Sequence, residues 1–119
     1  MDDTQLLLHN IVEGIKEKKG KKIVTIDMSA IEGTVFNYFV ICEADSNTHV
    51  TAIADSVKDY VRKQIKVKPF ASDGYENAQW IVFDYGDILV HIFQKEIREY
   101  YRLENLWSDA KIIEEKETV

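Results

Sequence analysis

Two aspartates, Asp84 and Asp87, flank the pair Tyr85-Gly86 inside WIVFDYGDILVHIF, residues Trp80 to Phe93. Carboxylates this close in sequence can hold Mg²⁺ or share a proton, the chemistry of a metal-dependent hydrolase or a nucleotidyltransferase. The competing reading is structural: aspartates beside Tyr-Gly are ordinary turn residues whose oxygens accept local backbone N–H groups. The structural reading is the stronger of the two, because no other chemical group gathers near them in the sequence.

His9, His49 and His91 are isolated, and none belongs to a paired His or Cys spacing of the kind that holds a metal. No metal is expected. His91 lies within the strand-like ILVHIF, where a partly buried imidazole with a backbone or carboxylate partner is a more economical reading than a catalytic base. Cys42 ends an apolar run without an activating neighbour and reads as a small core residue. Five scattered glycines form neither a phosphate loop nor a dinucleotide fingerprint, so no cofactor is expected.

The elements that must position these residues follow from periodicity. Leu7, Leu8, Ile11, Val12 and Ile15 recur at helical spacing from Thr4 to Lys19, with Asp3 or Thr4 as cap and Gly20 as stop. Val50, Ile53, Ala54, Val57, Val61 and Ile65 define a second amphipathic helix from Thr48 to Ile65. Between them, residues 21–28 and 35–44 are rich in β-branched and aromatic side chains and read as strands. Pro69, the only proline, fits a short edge strand. Trp80 to Asp84 and Asp87 to Phe93 then form a hairpin in which Gly86 supplies positive φ at the turn. Lys95 to Trp107 is helical in composition, and residues 111–119 read as a charged, frayed tail. Helices alternating with strand pairs predict an α/β (α+β) fold, a small mixed β-sheet packed by helices, in one domain of residues 1–110.

A chain of 119 residues, 45% hydrophobic, supports one core. Its net charge of −6 argues against a surface built to neutralise nucleic-acid phosphate and favours a basic protein partner. No run approaches the roughly 20 apolar residues of a membrane span. A lone cysteine and a start without signal-peptide character predict a cytoplasmic protein.

If Ile81 and Phe83 face the core, alternation sends Trp80, Val82 and Asp84 to the opposite face, beside Tyr85 at the turn. Tyr75 and Glu76 lie in the preceding loop. Aromatic anchors bordered by carboxylates suit a protein interface; the alternative is that Trp80 is covered by a helix of its own domain. A third alternative is that the rim serves self-association, a second copy of the chain then competing with any other partner for one surface.

DGYENAQWIVFDYGDILVHIF (Asp73 to Phe93), YYRLENLWSDA (Tyr100 to Ala110), DMSAIEGTVFNYFVIC and DSNTHVTAIADSV together resemble the ribosomal silencing factor family, also called Iojap or YbeB-like. The resemblance runs from the first helix to Ala110. It implies a nucleotidyltransferase-like core without that superfamily's active-site motif, and a binding protein that is not an enzyme. It also implies docking on the large ribosomal subunit through ribosomal protein uL14 with little direct RNA contact. That docking would block small-subunit joining and repress translation under nutrient limitation. A homodimer is implied for the free protein. Matched residue by residue, Trp80 becomes the anchor and Ile81 a packing contact. Tyr85 becomes an interface residue, Asp84 and Asp87 become partners for basic side chains, and Gly86 shapes the turn. Tyr75 and Glu76 are secondary contacts, while Tyr100, Leu103, Glu104 and Trp107 match the later motif in a role equally structural. Asn37 stands before Tyr38 where the family often has an acid.

Overall fold

The computed structural model describes residues 2–107 and 109–116. The first helix, α1 (Asp3–Glu17), is capped by Asp2, whose side chain accepts the Gln5 N–H at 2.8 Å and so satisfies one of the unpaired donors of the first turn. The second, α2 (Asn47–Ile65), is capped in the same way by Ser46, which accepts from the His49 N–H at 3.1 Å. The two helices lie in close contact at Gly14, where a Cβ would come within 2.9 Å of the Val57 Cα. Ser56 Oγ donates to the Gly14 carbonyl there at 2.7 Å. A side chain at Gly14 would force the helices apart.

Strands β1 (Lys21–Asp27), β2 (Tyr38–Ala44), β3 (Ala71–Asp73), β4 (Trp80–Asp84), β5 (Ile88–Gln94) and β6 (Lys111–Glu114) make one sheet in the order β3-β4-β5-β2-β1-β6. The β2–β5 pair is parallel and the others are antiparallel, which is the mixed sheet expected from local hairpins joined by a helical crossover. The short β3, just after Pro69, sits at one edge.

Strand alternation divides the sheet between two cores. Val40, Cys42, Ile81, Phe83, Val90 and Ile92 point under α1 and α2 and pack with Ile11, Ile15, Ile53 and Val57. Each such side chain contributes about 1.5–3 kcal/mol by leaving water. Val24, Ile26, Phe39, Ile41 and Phe93 face the other way. There the cover is two short helices, α3 (Lys95–Tyr101) and α4 (Leu103–Leu106), through Ile97, Leu103 and the following Trp107.

Beyond the cap of α1, which is Asp2 where Asp3 or Thr4 was expected, three features differ from expectation. Helix 95–107 is broken at Arg102, which takes a left-handed φ of 49°. The break turns α4 so that Glu104 meets Arg98, Nε to Oε1, at 2.7 Å. Arg98 is buried and also donates from Nη1 to Glu43 at 3.1 Å and to the Lys22 carbonyl at 2.7 Å, locking the two short helices to β1 and β2. Second, the tail is not frayed over residues 111–114: Ile112 and Ile113 pair with Ile26 and Thr25 along the open edge of β1. Two consecutive β-branched residues and a vacant strand edge outweigh the surrounding charges. Third, β2 starts at Tyr38, three residues later than the apolar run. The N–H groups of Asn37 and Tyr38 converge on the Asp87 carbonyl, which ties the segment to the hairpin instead.

Candidate functional site

The part of the second face that α3 and α4 leave uncovered lies over β4 and β5. Trp80 opens β4 opposite Phe93 of β5, and the two rings stack at 4.9 Å between centroids. Tyr101 from α3 closes on the indole at 5.0 Å. Trp80 Nε1 donates to His91 Nδ1 at 3.0 Å, a bond between diagonal neighbours of the hairpin. The anchor expected from the sequence is therefore held on three sides and stays half-exposed. The two readings of Trp80 meet: a helix of its own domain covers part of the ring and leaves the rest open.

Beyond Trp80 on the same face lie Val82 and Leu89, both half-buried, and then Asp84 at the end of β4. Beside Trp80, a surface depression of about 500 Å³ is lined by Asp73, Tyr75, Glu76 and Gln79. Glu76 borders this depression with Trp80, whereas the Tyr75 side chain turns to the helix side of the sheet: its hydroxyl donates to Asp55 Oδ1 at 3.1 Å, and its ring meets Phe83 of the first core. Burial, reinforced by the Asp55 charge, pushes the Tyr75 phenol well above its ordinary range. The open surface is an aromatic and aliphatic strip with carboxylates of Asp73, Glu76 and Asp84 at its border.

Other expected members of the site are placed elsewhere. Ile81 is fully buried beneath the helices, and no local twist brings it to the rim. Tyr85 is 4% exposed in the same core, because it continues the parity of Ile81 and Phe83. Its hydroxyl has no partner among the described residues, and burial raises its pKa well above the usual phenol value. Asp84 and Asp87 do not converge on a common point. Asp84 Oδ1 accepts the Gly86 N–H at 2.8 Å, whereas Asp87 Oδ2 accepts from Thr4 Oγ1 of α1 at 2.9 Å, on the helix side. Gly86 takes φ +90° as the turn requires, and a Cβ there would fall 2.8 Å from the Phe70 ring. Among the described residues, no group of three or more His, Cys, Asp or Glu side chains comes together as a metal site.

The later motif serves mostly as cover. Leu103 joins the second core, Glu104 holds Arg98, and Trp107 meets Phe39 edge-on at 5.8 Å; Tyr100 alone is 80% exposed. Cys42 is fully buried, and desolvation pushes its thiol up to about 12, as a core residue should be. The sequence reading missed the role of His91, expected to bond a backbone group or a carboxylate; its Nδ1 partner is the Trp80 indole. Leu89 was also missed, although hairpin register places it on the Trp80 face.

A family model described as "Ribosomal silencing factor during starvation" matches residues 1–119. The chain belongs to the ribosomal silencing factor family. The match extends past Ala110, where the motif resemblance ends, to the last residue. A ribosomal silencing factor of Halalkalibacterium halodurans is 39% identical over 111 residues, covering 92% of each chain. One of Bacillus subtilis is 40% identical over 97 residues, covering 81% of this chain and 80% of its own. The fold matches a solved crystal structure of a protein from Chromobacterium violaceum with a TM-score of 0.83 at 32% identity, over 90% of this chain and 88% of that one.

Proposed function

We propose that the chain docks on the large ribosomal subunit through ribosomal protein uL14, and that by occupying that position it sterically blocks joining of the small subunit and represses translation under nutrient limitation. The observation that carries the reading is the half-covered sheet face. An indole held on three sides, two aliphatic neighbours and a border of carboxylates have the composition of an interface hot spot surrounded by an orienting rim. Acidic borders on a chain of net charge −6 favour approach to a basic ribosomal protein and disfavour RNA phosphate, so protein contacts dominate and direct RNA contact is small. The protein works in the cytoplasm and is a homodimer in the free state. The rival metal-dependent enzyme requires Asp84 and Asp87 to act together, and their separate hydrogen-bond partners favour the binding reading.

Isothermal titration calorimetry with purified uL14 tests the assignment. Saturable binding is expected, weakening with salt as the carboxylate border is screened. Trp80→Ala should cost about 2 kcal/mol of binding or more, the scale of a hot-spot residue. A folded Trp80→Ala variant with the wild-type dissociation constant would remove this face from the interface.

A further inference from the structure

We infer that His91 is a positioning residue that aims the Trp80 indole outward for docking and is retained at the expense of stability. The inference rests on the docking proposed above for the same face. The indole N–H is a donor only, so the His91 Nδ1 that receives it must be unprotonated. The imidazole proton then sits on Nε2. That donor is buried and finds no acceptor among the described residues. Burying an unpaired donor costs more than one intramolecular hydrogen bond returns.

A position chosen for stability alone would carry an aliphatic side chain, as Ile41, its register partner on the same face of β2, does. What the imidazole supplies and an aliphatic residue lacks is an acceptor within reach of the indole. Phe39 and Phe93 pack against the ring at 5.2 and 6.0 Å and fix its plane, so the acceptor direction is fixed too. Phe93 stacks on the Trp80 ring and Tyr101 lies tilted against it, but neither can select which edge points in and which points out. The bond to Nδ1 makes that selection.

The test uses His91→Leu, which removes the acceptor, and His91→Asn, whose Oδ1 stands where Nδ1 stood. The readouts are the Trp80 indole N–H resonance in ¹H–¹⁵N spectra, assigned by its absence in Trp80→Phe, the thermal midpoint, and the affinity for purified uL14. His91→Leu should keep or raise the thermal midpoint, lose the slow solvent exchange of the indole proton, and bind at least about tenfold more weakly, a loss short of a full hot-spot deletion. His91→Asn should recover the slow exchange and most of the affinity despite its smaller volume. Retained affinity in His91→Leu, or affinity that follows the midpoint across all three proteins, would overturn the inference. If the wild type itself does not bind uL14, the docking proposal falls, and the indole exchange alone decides whether His91 positions Trp80.

Discussion

The two faces of the sheet are built from alternate residues of the same strands, yet they are finished differently. Under α1 and α2 the side chains of Ile81, Phe83, Val90 and Ile92 are wholly buried, and the covering helices run 15 and 19 residues. On the other face the cover is two helices of 7 and 4 residues, and Trp80, Val82 and Leu89 remain partly open. A helix of four residues has no independent stability. It stays in place because Arg98 joins Glu104 to Glu43 beneath it. One face is therefore committed to holding the fold, while the other leaves an apolar strip partly open.

That division can be broken experimentally, and the largest effect is expected on the sealed face. Phe83→Ala should destabilise the fold by about 3–5 kcal/mol, the range for a buried aromatic, read from the urea midpoint. Its folded fraction should still bind uL14. Equal losses of binding and stability from the sealed and open faces would dissolve the contrast. Arg98→Met comes next. It leaves the Glu43 carboxylate buried without its partner, and the expected loss is about 3 kcal/mol or more. Small losses would mean that α4 holds its place without the ion pair.

Acid should act through the open face. Burial lowers the His91 pKa from 6.5 to about 4. The unfolded chain therefore takes up a proton before the folded one. Titration of this imidazole leaves stability unchanged above about pH 6.5 and lowers it by about 3 kcal/mol as pH falls toward and through 4, because only the unfolded chain gains the proton over that range. Urea titrations of wild type and His91→Leu at pH 7 and pH 4 isolate this share; parallel losses in both proteins would show that His91 does not carry it. The smallest change is Val82→Thr, within about 0.5 kcal/mol in stability as for other partly exposed sites. It should weaken uL14 binding a few-fold. Unaltered binding would confine the contact to Trp80 and the depression beside it.

Much of this architecture is legible in the amino-acid order. Periods of three and four mark α1 and α2, and Tyr85-Gly86 marks the hairpin, because those signals are local. Alternation also sorts Ile81 and Phe83 from Trp80 and Val82 onto opposite faces, as observed. The same parity carries Tyr85 under the helices; the expectation of a rim position assumed that a turn residue leaves the strand pattern. What is illegible depends on distant partners. Nothing near Ile112 and Ile113 announces that β1 has a vacant edge. No local residue type explains a left-handed Arg102, since glycine or asparagine would ordinarily mark such a stop. The bond from Trp80 to His91 arises only once the hairpin register is set, so it cannot be read from either residue alone.

The most direct test of the central claim is sedimentation through a sucrose gradient of isolated large subunits preincubated with the protein, after small subunits are added. Wild type should travel with the large subunit and abolish the joined-ribosome peak, while Trp80→Ala stays at the top and joining proceeds. Normal joining with wild type bound, or wild type left unbound, would contradict the claim.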